Sequence, residues 1–93
     1  MLIQQKENNG HGAFYIEKNG EAIAEMTYYF PSDGVMVIDH TEVSDELKGQ
    51  NIGSQLVQYG VDYARSKQLK IDPQCPFVKS VFDKTNEYDD VRN

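Results

Sequence analysis

The residues of this sequence able to do chemistry stand in a few short places. The first is segment 48–54, KGQNIGS, where Lys48, Gly49, Gln50, Asn51, Ile52, Gly53 and Ser54 lead into a helical pattern. Amides at a helix start are unpaired donors with partial positive charge, so they attract anions. The two glycines permit close approach and unusual dihedrals. Asn51 tolerates the left-handed region, and Lys48 adds a cation. The implied chemistry is the cradling of a phosphate, and the plain alternative is a tight turn. The segment is not a Walker loop, because the terminal Lys-Ser/Thr pair is missing. Nor is it a dinucleotide fingerprint, since the acidic partner expected about 20 residues later has no strand to occupy.

The second place is Cys75, the single cysteine, followed by Pro76. Proline suits the first position of a helix, which puts Cys75 at the N-cap, where a helix end favours thiolate chemistry. The alternative is a small buried apolar residue. The third place is His40 with Glu42, two apart on a strand pattern and so on one face, about 7 Å from each other. Their face is read as continuing Met36 and Ile38, which takes the strand out of the core and into a cleft. Histidine titrates near neutrality, and a base must come within reach of the proton it removes. One of the pair is therefore a candidate to deprotonate an amine; the alternative is a hydrogen-bonded strand-end pair. His11 falls in a turn and is expected to be exposed. Tyr28, Tyr29, Tyr59 and Tyr63 read as core-edge residues. No metal site is expected.

The elements that must position these groups read as strands first. Segment 2–6 is a short strand, and NNGHG (8–12) is a turn. Segment 13–18 is rich in strand formers and ends at Asn19-Gly20, a hairpin signal. In EAIAEMTYYF (21–30), Ala22, Ala24, Met26, Tyr28 and Phe30 are expected to share a face. PSDG (31–34) turns the chain into a fourth strand over 35–43. From Asn51 the period becomes helical, with Ile52, Leu56, Tyr59, Gly60, Tyr63 and Ala64 on one face. Gly60 would let this helix approach the sheet closely. Segment 69–73 is a short strand. The helix starting at Pro76 is expected to bury Phe77, Val78, Val81, Phe82, Thr85 and Tyr88, and the acidic end 87–90 to fray into solvent. The order β-β-β-β-α-β-α is an α+β arrangement.

Composition bounds the function. At 93 residues the chain is expected to form one domain, residues 1–93. Its net charge of -6 argues against a nucleic-acid partner, which requires a basic face. No apolar run approaches the roughly 20 residues of a membrane helix, and the start MLIQQKENNG lacks the pattern of a signal peptide. A lone cysteine excludes an internal disulfide. A cytoplasmic setting is expected.

The stretch VSDELKGQNIGSQLV (43–57) resembles the acetyl-CoA-binding signature of the GNAT N-acetyltransferase superfamily, Gln/Arg-x-x-Gly-x-Gly/Ala. Lys48 stands at the Gln/Arg position, Asn51 at the first glycine and Gly53 at the second. DHTEVSDEL (39–47) and CPFVKSVFDKTNEYDDV (75–91) resemble a short subfamily of that group. The resemblance implies a mixed, mostly antiparallel sheet with two helices, lacking the N-terminal helices of longer members. It implies acetyl-CoA as acyl donor, an amine acceptor of unknown identity, a pantetheine arm pairing with the backbone around Val43, and a pyrophosphate on the amides of 48–54. Where the wider family often has an asparagine, this chain has Cys75; where a catalytic tyrosine follows seven residues on, it has Phe82. The resemblance offers Cys75 in its place, either taking the acetyl group or protonating the departing thiolate. A CoA-binding module with little or no transfer activity is the alternative, and an interaction domain on the same fold is a further one.

Overall fold

Asn9-Gly10 and Asn19-Gly20 all hold positive φ, between 52° and 81°. That is the conformation of a two-residue type I′ turn, whose twist matches that of paired strands. These turns join β1 (Gln4–Asn8), β2 (His11–Lys18) and β3 (Glu21–Ser32) as hairpins. The computed structural model describes residues 2–93. β3 runs through Pro31 to Ser32, so the next turn shortens to Asp33-Gly34 before β4 (Val35–Val43). A 3-10 turn, Asp45–Leu47, leads to α1 (Ile52–Lys67), and β5 (Lys70–Pro73) and α2 (Pro76–Asp83) follow. The sheet has five strands in the order β1-β2-β3-β4-β5. β1 to β4 are antiparallel, and β5 joins β4 in parallel after the α1 crossover.

One face of the sheet carries the core. Phe14, Met26, Tyr28 and Ile38 meet α1 there, with Val78 and Phe82 of α2 in the same buried cluster. Gly60 allows the close approach expected of it, since a β-carbon there would lie 2.9 Å from the Met26 methyl. The buried stripe of α1 is Ile52, Leu56, Val57, Gly60, Val61 and Ala64. Tyr59, expected inside, is 47% exposed; the helix is rotated so that Val57 and Val61 take the inward positions. Tyr28 is buried, its hydroxyl donating to Glu7 (2.8 Å) and accepting from Gln5 (2.8 Å). Tyr63 donates to the same Glu7 oxygen at 3.1 Å.

The second helix and the acidic end also depart from expectation. α2 closes at Asp83 and buries Val78 and Phe82, one turn apart. Phe77 at its start is 40% exposed. Tyr88 is buried, but beyond the helix. Segment 87–90 does not fray. The Arg65 guanidinium forks onto Asp90 with both bonds at 2.9 Å and donates to the Glu87 carbonyl at 2.8 Å. The Ile71 amide then donates to the Val91 carbonyl, and the Asn93 amide to the Ile71 carbonyl, so residues 91–93 cover part of the outer edge of β5.

Candidate functional site

The site begins with an extra residue in β4. Tyr28 pairs with Ile38, but Thr27 pairs with His40, so Asp39 is a bulge. Side chains alternate across a strand, and an inserted residue exchanges the two faces. Before the bulge, Met36 and Ile38 point into the core. After it, Thr41 lies opposite Met26 and Val43 opposite Ala24, on the helix-covered face. His40 lies opposite Thr27 and Glu42 opposite Glu25, on the uncovered face. Their side chains are 60% and 79% exposed, 3.4 Å apart. The expectation that they continue the Met36–Ile38 row into a cleft is thus corrected, and the pair takes the hydrogen-bonded arrangement. A second bulge, at Ile23 in β3, likewise removes Ala22 from the face of Ala24.

Beyond Ile38, β4 continues beside β3 but without β5. Its pairing with β5 ends at Ile38 and Pro73. The amides of Gln74 and Cys75 both donate to the Ile38 carbonyl at 3.0 Å, and the chain then turns into α2. The strands part into a V whose free side is the 39–43 edge of β4. Cys75 sits at its apex as the N-cap of α2, with Pro76 in the first turn, as the sequence predicts. Cys75 is buried, 5% exposed, and its thiol donates to the Thr41 hydroxyl at 3.4 Å.

The opposite wall is segment 48–54. Asn51 is left-handed, at φ 60° and ψ 29°, and Gly49 has φ 80°. These turns aim the chain so that the amides of Gly49, Asn51, Ile52, Gly53 and Ser54 have no protein acceptor among the described residues. Gln55 braces the loop by donating to the Gln50 carbonyl at 3.0 Å. Lys48 stands 3.5 Å from Asp45 in an exposed pair, of the kind that contributes little and opens readily. Between this wall and β4 lies a cavity of about 510 Å³. Thr41 and Val43 form one side; Leu47 and all of 48–54 except Gln50 form the other; Phe77 reaches in from α2.

The structure thus gathers Val43 and the 48–54 segment, with Cys75 beneath Thr41 at the apex, and leaves His40 and Glu42 outside. Sequence reasoning missed Thr41, Leu47 and Phe77. Thr41 carries no local signal, because its orientation depends on the bulge. Phe77 had one: an aromatic at the mouth of a short helix, ahead of the Val78–Phe82 pair. Among the described residues no cluster of metal-ligating side chains occurs, and no helix is long and apolar enough to cross a membrane.

Residues 13–91 match the family described as GCN5-related N-acetyl-transferase. The solution structure of a GCN5-like protein from Staphylococcus aureus is 38% identical, with a TM-score of 0.73 over 97% of this chain and 87% of that one. A ribosomal-protein-alanine N-acetyltransferase from Brucella melitensis biovar Abortus 2308 shares the fold at 17% identity and TM-score 0.66, over 83% of this chain and 62% of that one. An IAA acetyltransferase from Bacillus cereus ATCC 14579 does so at 19% identity and TM-score 0.57, over 68% and 43%. No curated protein matches. With the signature loop opening α1, the parted strands beside it and this family match over most of its length, the chain belongs to the GCN5-related N-acetyltransferase family.

Proposed function

We propose that the protein binds acetyl-CoA in the cleft where β4 parts from β5 and transfers its acetyl group to an amine. The observation that carries this reading is the row of amides without acceptors, Gly49 and 51–54, facing the same cavity as the unpaired edge of β4. The residues present fit the ligand. The amides and the helix start suit a diphosphate, Lys48 adds charge once it leaves Asp45, and the free backbone around Val43 suits an extended amide-bearing arm. Acetyl-CoA supplies the acyl group as a thioester open to attack by an amine nitrogen. At the apex Cys75 holds an exchangeable proton, shared with the Thr41 hydroxyl, for the departing thiolate. His40 and Glu42 stand on the uncovered face and serve only an acceptor arriving from that side. The buried free thiol suits a reducing compartment, the cytoplasm.

A second reading, binding without transfer, is favoured by Phe82, which stands where the family resemblance expects an acidic tyrosine and is buried with no proton to give. Titration of nitrogen-15-labelled protein with acetyl-CoA, CoA and desulfo-CoA tests the binding. Shifts should centre on 48–54 and vanish in Gly53→Glu, which adds bulk and like charge. No shifts at millimolar ligand would overturn both readings. An amine screen by mass spectrometry then separates them. Loss of transfer in Cys75→Ala with binding intact supports the thiol as proton donor, an acetylated wild-type protein that the variant does not form shows a covalent route instead, and unchanged turnover removes Cys75 from the chemistry.

A further inference from the structure

Among the described residues, the exposed large apolar side chains are Leu2, Tyr59 and Phe77, and of these Phe77 alone lines the cleft. It enters from the start of α2, across the V from segment 48–54. A β-carbon built on Gly53 would lie 2.6 Å from its Cζ and 2.8 Å from its Cε2. The tip of the ring therefore fills the space beside Gly53, within the row of amides that have no acceptor. An anion approaching the Gly53 amide from that side has to displace the ring. At 40% exposure the ring gives up only part of its burial when it moves. Its backbone belongs to the first turn of α2, two residues after the Cys75 N-cap, and the cavity it borders has an apolar side of Val43, Leu47 and Ile52.

From this geometry we propose that Phe77 makes the cleft selective for a diphosphate bearing a long, partly apolar thioester arm over bare diphosphates and short nucleotides. The inference rests on the reading that segment 48–54 holds a diphosphate. A bare diphosphate moves the ring off Gly53 and leaves it in water. A ligand with an arm running from the loop to the apex offers the displaced ring apolar surface to cover. The ring thus penalises the first ligand and contributes to binding of the second. It adds specificity that backbone amides lack, since they meet any phosphate alike.

Calorimetric titration of the wild type, Phe77→Ala and Phe77→Leu with CoA, ADP and inorganic pyrophosphate tests this. In Phe77→Ala, CoA should bind about tenfold more weakly, equivalent to about 1.4 kcal/mol, while ADP and pyrophosphate bind as in the wild type or more tightly. Phe77→Leu should keep most of the preference. In free Phe77→Ala the Gly53 α-proton should shift as the ring current is lost, with the remaining resonances in place. Equal weakening of all three ligands, or an unchanged preference for CoA, overturns the role of Phe77 alone. Failure of CoA to perturb 48–54 in the wild type overturns the diphosphate reading and this one together.

Discussion

Asn51 and Gly53, two positions apart in the loop, meet different demands. Asn51 is in the left-handed region, where the Cβ of an ordinary residue costs about 1–2 kcal/mol and asparagine is among the few that enter readily. Asn51→Ala should therefore lower stability by about 1 kcal/mol, while Asn51→Gly changes it by less than about 1 kcal/mol; urea midpoints at constant slope check both. This demand was legible in the sequence, because asparagine ahead of a helical pattern is a local signal. Gly53 has ordinary helical φ, and its smallness leaves room for Phe77. That reason was not legible, because the neighbour lies far along the chain. Cys75 was placed correctly at its N-cap by Pro76, whereas its bond to Thr41 depends on a bulge in another element.

Element boundaries were read well where the chain marks them locally. The Asn19-Gly20 turn, the helix opening after Asn51 and the proline of α2 stand as expected, whereas the turn read over 8–12 shortens to Asn9-Gly10, and His11 and Gly12 pair within β2. The bulges at Ile23 and Asp39 were invisible because each arises from how two strands align, and neither strand alone specifies an extra residue. Tyr59 exchanged places with Val57 and Val61 because two apolar stripes competed for the inward side of α1, and the smaller side chains fit the sheet. The docked acidic end escaped notice because its charges suggest solvation, while Tyr88 and Val91 between them are buried. Arg65→Ala should release this end: the Ile71 amide, which donates to Val91, should lose protection in hydrogen exchange. The bond from Arg65 holds the Asp90 carboxyl below the ordinary carboxylate range, and bonds from Lys79 and then Arg92 do so for Asp83. A depressed folded pKa adds stability that is present above the unfolded value of about 4 and lost as pH falls through the folded one. Thermal midpoints should thus drop on acidification below about pH 4, and by less in Arg65→Ala, which has already given up the Asp90 share.

At the scale of the molecule, the helices lie on one sheet face, and the β4–β5 pairing ends early enough to leave room for the cleft. The order of elements was legible because periodicity and turn residues agree along the whole chain. The cleft walls were legible only in part, because they join segments distant in sequence. The same single-layer core produces an alkaline limit. Burial, reinforced by the neighbouring Glu7, raises the Tyr28 hydroxyl well above the usual tyrosine range. Its unfolded pKa is about 10, so the neutral form stabilises the fold fully below that pH, and this stability disappears as pH climbs toward the folded value. Unfolding free energy should decline above about pH 10, measured by denaturant titration, and the tyrosinate absorbance of Tyr28 should appear only with unfolding.

The Asp39 bulge has a consequence for anyone reshaping this ribbon. Up to Ile38 the even-numbered positions are the interior ones, and from Thr41 the odd-numbered positions are. A catalytic imidazole meant for the cleft therefore belongs at position 41 or 43, not where the natural histidine stands. Deleting Asp39 would straighten the ribbon and leave His40 opposite Thr27 and Thr41 opposite Met26; absorbing Asp39 into regular pairing instead would turn His40 and Glu42 inward and carry Thr41 away from the only thiol in the chain.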